Sequence, residues 1–84
     1  MAKLDKFLTE LLSGTSDSNI SFRKLTSLLR KLEFKCRIQG SHHIFYREDI
    51  EEIINLQSRG NKAKTYQVKQ VRNLLLKYNL LKDE

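Results

Sequence analysis

Hydrophobic residues at the start of this 84-residue chain recur at the spacing of an amphipathic helix. Gly14 follows the last of them, and glycine is a common residue just after a helix end. The pattern predicts a first helix over residues 2–12, followed by a small polar loop from Ser13 to Asn19. The apolar positions of this helix are Leu4, Phe7, Leu8, Leu11 and Leu12.

A second apolar stripe with helical spacing begins after this loop. Ser21 is a typical N-cap residue, and Ile20 and Leu25 occupy the two positions of a hydrophobic staple around it. These signals predict a helix over residues 21–32. Its apolar positions are Phe22, Leu25, Leu28, Leu29 and Leu32.

The period then changes from 3.6 to 2, which is typical of strands. Apolar Phe34, Cys36 and Ile38 alternate with polar residues, two of them the basic Lys35 and Arg37, which predicts a strand with one basic face. Gly40-Ser41 predicts a turn. Further short strands are predicted over residues 42–47 and 53–57, separated by a charged connection.

A basic loop around Gly60, from Ser58 to Lys64, precedes a last helix that starts near Thr65. The apolar side of this helix contains Val68, Val71, Leu75 and Tyr78. The resulting order, α-α-β-β-β-α, predicts a single α+β domain in which helices cover a three-stranded antiparallel sheet.

Composition adds a positive charge to this picture. The chain has 16 Lys and Arg against 10 Asp and Glu, a formal charge of +6. A phosphate backbone is the commonest partner of a small basic domain, although such a charge also serves solubility alone. Because a domain of this size has a small core, any chemistry is expected on an open face.

Cys36 is the only cysteine, so that no disulfide forms within the chain, which fits a reducing compartment. No apolar run approaches the roughly 20 residues of a membrane span, and no signal peptide is evident. We therefore expect a cytoplasmic protein without membrane contact.

The main candidate for chemistry is Gly40-Ser41-His42-His43. The two histidines are neighbours on a strand and point to opposite faces, so we expect no metal ion between them and no cofactor. Continuing the core of the first strand, Ile44 and Tyr46 are expected to point inward. The outer face is then expected to hold His43, Phe45 and Arg47, with Lys35 and Arg37 beside them.

An imidazole among cations suits RNA cleavage. A histidine takes or gives a proton at neutral pH, and nearby cations stabilise the charge that develops on phosphorus. In this interpretation His43 is the general base or acid, Lys35, Arg37 and Arg47 hold the phosphate, and Phe45 stacks a base. From spacing alone an ordinary half-exposed strand histidine is the favoured explanation, because isolated histidines are common and usually inert.

Two segments resemble the HicA family of toxins, the small ribonucleases of type II toxin–antitoxin systems. They are Leu28-Leu29-Arg30-Lys31-Leu32-Glu33-Phe34 and Ile38-Gln39-Gly40-Ser41-His42-His43-Ile44-Phe45, and the resemblance extends over residues 22–80. It is specific at Gly40, Ser41 and His43, where the family has G-S-x-H.

The resemblance implies a fold like that of double-stranded-RNA-binding domains, with His43 as the catalytic histidine. It also implies cleavage of messenger RNA without the ribosome and neutralisation by a HicB-like antitoxin, which would bring DNA contact only indirectly. We expect that antitoxin to bury His43 and to meet several of Lys35, Arg37, Arg47, Lys62 and Lys64.

The sequence departs from the family pattern at three points. Glu33 stands where the family has Gly before Phe, which would cost roughly 1 kcal/mol if φ is positive there. Leu56-Gln57-Ser58 replaces a Pro-x-His, so that a second histidine is missing. The helix over residues 2–12 is additional, with packing against the core as its expected role and antitoxin contact as the alternative.

Three further features have simpler explanations beside functional ones. The acidic run from Glu48 to Glu52 fits a charged hairpin connection better than a magnesium site. Lys62 and Lys64, before the last helix, fit either an RNA phosphate contact or a solvated loop. Ser41 lacks a base and acid partner and is expected to support the turn and assist RNA binding.

Two other functions remain open from the sequence. A non-catalytic RNA-binding module would use the same basic face and the loop with Lys62 and Lys64. A small DNA-binding regulator is less well supported, because strands follow the second helix directly and leave no helix-turn-helix pattern.

Overall fold

The computed structural model describes the backbone of residues 2–81 and the side chains of residues 6–81. Three helices and four strands follow one another along the chain, with a short 3-10 turn at Asp17–Asn19 before the second helix. They are α1 (Ala2–Ser13), α2 (Phe22–Lys31), β1 (Lys35–Gln39), β2 (His42–Arg47), β3 (Ile50–Arg59), β4 (Lys62–Ala63) and α3 (Thr65–Lys77).

The strands form one antiparallel sheet in the order β1-β2-β3-β4, so β1 and β4 are its edges. One face of the sheet is covered by the helices, and its buried residues join helix residues in a single apolar core that includes Phe45, Ile54, Leu56 and Leu29. The other face is open. The predicted α+β class and antiparallel meander are confirmed.

The predicted count of three strands is wrong. The two-residue strand β4 lies inside the segment that the sequence indicated as a basic loop, and it pairs with the end of β3. Strand β3 is also longer than predicted, because it begins at Ile50 rather than at Ile53. The buried side chain of Ile50, together with the paired Arg47, extends the sheet into the acidic connection.

The start of α2 forms as its capping signals predict. The Ser21 hydroxyl accepts a hydrogen bond from the Lys24 N–H at 3.2 Å, and Ile20 and Leu25 are both fully buried beside it. This start is also tied to the sheet, because the Ala63 N–H donates to the Ile20 carbonyl and the Phe22 N–H donates to the Asn61 carbonyl. The N-terminal turn of α2 therefore has a fixed position relative to β4.

The end of α2 carries a strained residue. Glu33 has φ of +70°, in the left-handed region that glycine favours. Its N–H donates to the Arg30 carbonyl and the Phe34 N–H donates to the Leu29 carbonyl, the two bonds of a Schellman motif. The motif brings the buried Phe34 against the core, so the chain retains the motif despite the unfavourable residue.

The first helix joins the core and is held by a buried ion pair. Phe7 and Leu11 belong to the core, as expected for packing of α1. Arg72 of α3 donates to both carboxylate oxygens of Asp17, at 2.7 and 2.9 Å, and to the carbonyl of Leu11. Both charged side chains are largely buried, so this pair connects the end of α1, the 3-10 turn and α3.

No helix within residues 2–81 has the length and apolar character that crossing a membrane requires.

We predict that Glu33→Gly stabilises the protein by about 1 kcal/mol, because glycine adopts a positive φ without steric strain. Glu33→Ala is the matched control, since it removes the same charge but keeps the Cβ, and it should leave stability nearly unchanged. Urea unfolding of the three proteins gives the comparison. Equal stabilities of the glycine and alanine variants would contradict the prediction.

We predict that Asp17 makes stability fall in acid. Hydrogen bonds from Arg72 lower the pKa of Asp17 below its ordinary value of 3.8. The stabilisation is therefore complete above pH of about 4 and is lost as the pH falls through the lowered folded-state pKa. Asp17→Asn should cost about 1–3 kcal/mol at pH 7 and reduce the acid dependence of the free energy of unfolding.

The check on Asp17 is a series of urea titrations of both proteins from pH 7 to acid. Asp49→Asn serves as the control, because Asp49 forms an ion pair with Arg47 but its side chain is 63% exposed, so its loss should matter less. Parallel pH profiles for wild type and Asp17→Asn would show that the carboxylate has no such role.

Candidate active site

The pairing of β1 and β2 decides which side chains share a face with His43. His43 lies opposite Ile38 of β1 and Leu56 of β3, and Phe45 lies opposite Cys36 and Ile54. Residues opposite each other in an antiparallel pair point to the same face. Because Leu56, Ile54 and Phe45 are fully buried under the helices, His43 lies on the helix-covered face.

The predicted face of β2 is therefore wrong. His43, Phe45 and Arg47 do share a face, but it is the covered one, whereas Ile44 and Tyr46 lie on the open face. Lys35 is paired with Tyr46 and Arg37 with Ile44, so these two cations lie on the face opposite to His43. The structure separates the imidazole from both.

Phe45 and Arg47 make contacts within the fold and do not lie on the open face that the sequence predicted for them. Phe45 is 0% exposed, so its ring is inaccessible to a nucleic-acid base. The Arg47 guanidinium lies over the Phe34 ring and donates to both oxygens of Asp49 and to the carbonyl of Leu32. The last of these contacts satisfies a carbonyl at the C-terminal end of α2, so Arg47 links that helix end to the sheet.

His43 is half-buried at the margin of the covered face. Its ring packs edge-to-face against Phe22, the first residue of α2, with centroids 5.0 Å apart and planes at 79°. Its Nδ1 atom is buried and has no hydrogen-bond partner among the described residues. Nε2 is not among the buried, unpartnered atoms, and within the part of the chain that the structure describes it has no hydrogen bond.

An uncovered strip lies between α2 and the edge strand β1. Ile38, opposite His43, is 58% exposed although it lies on the helix-covered face, because the helix layer ends before β1. Cys36, on the same strand and face, is a free, half-buried thiol. His43, which is half-buried, thus has the exposed Ile38 opposite it on β1 and the Phe22 ring packed against it.

Arg30 is the cation that the structure brings to this strip. Its guanidinium carbon lies 5.8 Å from the centroid of the Phe45 ring. Phe45 is two residues from His43 on the same face of β2, a separation of about 7 Å along the strand. No other described residue forms a salt bridge with Arg30, so its charge is available to a phosphate.

Phe22 and Arg30 join the candidate site only in the folded structure. Both lie on one stripe of α2, because residues 22, 26 and 30 are spaced by one helical turn. That spacing was visible in the sequence, but it indicates a site only once His43 is known to face the helices.

Ser41 and Lys64 are connected by a series of side-chain hydrogen bonds through Gln57. The Lys64 ammonium donates to Gln57 Oε1 at 2.9 Å, and Gln57 Nε2 donates to the Ser41 hydroxyl at 3.0 Å. The Gln57 N–H also donates to the side chain of Gln67 in α3. These hydrogen bonds connect the start of α3 to Ser41, which lies in the turn that the sequence predicts.

Lys62 and His42 lie apart from the strip. Lys62 pairs with Arg59 across the β3–β4 hairpin and with Ser21 before α2, and it is half-buried. His42 points to the open face, where its Nδ1 forms a hydrogen bond with the amide oxygen of Asn55 at 3.0 Å. The two histidines thus lie on opposite faces, as predicted.

The acidic segment from Glu48 to Glu52 is divided between separate contacts. Asp49 is bound by Arg47, and Glu52 accepts hydrogen bonds from Lys77 and from the Tyr78 hydroxyl. These two donors, Lys77 first, lower the pKa of Glu52 to about 2. Within residues 2–81, no three His, Cys, Asp or Glu side chains cluster as a metal site would require.

Comparisons with protein families, with curated proteins and with solved structures gave no match to this chain. The resemblance at Gly40, Ser41 and His43 therefore stays a prediction.

Proposed function

We propose that this protein is an endoribonuclease in which His43 acts on the 2′-hydroxyl of RNA. The observation that supports the proposal is the state of the His43 ring: its Nδ1 is buried without a hydrogen-bond partner among the described residues, and the ring packs edge-to-face against Phe22. A buried polar atom without a partner costs about 1–3 kcal/mol. Exceptions of this kind to the hydrogen bonding of buried polar atoms are typical of functional positions.

The geometry suits a general base. In the neutral ring, a proton on the buried Nδ1 leaves the lone pair on Nε2, the nitrogen that we assign to the substrate. Nε2 then takes the proton of the 2′-hydroxyl, O2′ forms a bond to the adjacent phosphorus, and the bond from phosphorus to O5′ breaks. The products are a 2′,3′-cyclic phosphate and a 5′-hydroxyl end whose proton comes from solvent.

Arg30 takes the role for which the sequence had indicated Lys35, Arg37 and Arg47. A fixed cation stabilises the additional negative charge of the pentavalent phosphorus, and it is more effective at a partly dehydrated margin than in bulk water. The N-terminus of α2, beside His43, adds the positive end of its dipole. Arg47 is unsuited to this task because Asp49 already neutralises it.

The wider proposal follows the HicA resemblance. The fold would then be of the double-stranded-RNA-binding type, with β4 and α1 as additions, and the substrate would be messenger RNA in the cytoplasm. A HicB-like antitoxin is the proposed partner. Since His43 faces away from Lys35 and Arg37, an antitoxin that covers the strip would leave the open face of the sheet largely free.

A non-catalytic RNA-binding function is the second candidate, and one observation favours it. The open face of the sheet presents Lys35, Arg37 and the ring of Tyr46 close together, with Tyr46 directly opposite Lys35. Cations beside an aromatic ring on an uncovered sheet are suited to phosphate contact and base stacking. This surface does not include His43.

We predict that His43→Gln lowers RNA cleavage at least about 100-fold and relieves growth inhibition, because the general base is lost. Glutamine keeps most of the ring's volume, which limits damage to the packing against Phe22. His42→Gln is the control on the opposite face and should retain nearly full activity. Gel assays of RNA cleavage and thermal melting of each protein provide the measurement, and full cleavage by folded His43→Gln would exclude the proposed mechanism.

We predict that Arg30→Gln reduces cleavage by about 100-fold with little change in RNA affinity, since its charge acts mainly on the transition state. Arg37→Gln removes the same charge from the open face. If the second candidate is correct, the pattern is reversed: Arg37→Gln weakens RNA binding and Arg30→Gln has no effect. Single-turnover cleavage rates and binding isotherms separate the two.

We predict that cleavage proceeds in EDTA, because an imidazole and a guanidinium supply the chemistry without a metal ion. The assay compares initial rates in EDTA and in magnesium. Loss of cleavage in EDTA with recovery on adding magnesium would instead indicate a metal-dependent nuclease.

A further inference from the structure

A groove of about 710 Å³ lies between α1 and α2. Its floor is formed by Phe7 of α1 and Leu28 of α2. Four cations line it: Lys6, Arg23, Lys24 and Lys31. The only carboxylate among the described lining residues is Glu10, so the groove has an excess of three positive charges.

The four cations of this groove are not neutralised by ion pairs with other described residues. None of the four forms a salt bridge with another described residue, whereas Arg47, Arg72 and Lys77 all do. The aliphatic stems of lysine and arginine also provide apolar walls above Phe7 and Leu28. The surface therefore combines an apolar base with an unneutralised basic rim.

The shape of the groove fits a helix. Along α2 its wall runs from Arg23 through Ser27 to Lys31, a stripe of about 12 Å with one residue per turn. An amphipathic helix binds such a groove by placing its apolar face on the floor and its charged flanks at the rim. RNA fits less well, because the accessible lining of the groove is mostly apolar, which suits the apolar face of a helix better than a sugar-phosphate backbone.

We propose that this groove binds an acidic amphipathic helix of a partner protein. The groove begins at Arg23, next to Phe22, which contacts His43, so one end of the bound helix lies beside the strip. The identification of this partner as the inhibitor that covers His43 rests on the proposed function. The binding chemistry itself does not, and it gives α1 a purpose beyond packing.

The test uses a synthetic helix of about 16 residues, long enough to be helical, with leucines on one face and glutamates on the other. The full-length protein, labelled with ¹⁵N, is titrated with this peptide and with a matched peptide in which glutamine replaces every glutamate. We expect shift changes at the lining of the groove and much weaker binding of the glutamine peptide.

Two double variants with the same change in charge locate the site. Lys24→Glu with Lys31→Glu should weaken binding of the acidic peptide about tenfold or more, because like charges then meet. Lys35→Glu with Arg37→Glu, on the open face of the sheet, should leave it nearly unchanged. Thermal melting checks that both variants fold.

Four outcomes would overturn the proposal. They are no binding of the acidic peptide, equal binding of the glutamine peptide, equal loss in the two double variants, and shifts at the groove with oligouridine but not with the peptide. Because none of these measurements depends on cleavage, an inactive His43 would leave the groove proposal intact, and an unoccupied groove would leave the cleavage proposal intact.

Discussion

Complete burial of Phe45 is the constraint on which the rest of the structure depends. This ring lies at the centre of β2, opposite Cys36 on one side and Ile54 on the other, with the Arg30 guanidinium above it. A slip of one residue would move Phe45 to the open face and lose about 1.5–3 kcal/mol of apolar burial. The position of His43 follows, because it lies two residues away on the same face.

The burial of Phe45 thereby places the His43 imidazole on the helix-covered face. The cost of this position is limited, because the helix layer ends before β1 and the histidine is only half-buried. Phe22 encloses one edge of the imidazole, but β1 projects beyond the helices, as the exposure of Ile38 shows. A fully covered histidine would need partners for both nitrogens, and a fully exposed one would not be held in place. At this margin the ring packs against Phe22 and the histidine stays half-exposed.

Local signals in the sequence were sufficient for most helices and turns. Ser21 caps α2 and Gly40 adopts a positive φ of 60°, because both effects depend only on neighbouring backbone atoms. Strand β4 could not be predicted, since two residues show no period. Its pairing depends on contacts with β3 and with the segment before α2.

The error in the face of β2 has a different origin. Ile44 and Tyr46 alternate with His43 and Phe45, so both faces of β2 carry large apolar or aromatic residues. The alternation therefore does not show which face is buried. The two-residue turn at Gly40-Ser41 resolves the ambiguity, because it pairs Gln39 with His42 and therefore Ile38 with His43. Turn length determined the register here, and the hydrophobic pattern alone could not.

The projecting edge strand β1 also affects how the molecule behaves among copies of itself. Its outer backbone groups have no neighbouring strand, and such an edge is a template on which another chain can extend the sheet. Lys35 and Arg37 place positive charges along this edge, so that two copies approaching edge to edge repel each other. The same side chains that place charge on the open face therefore also oppose pairing of two copies through this edge.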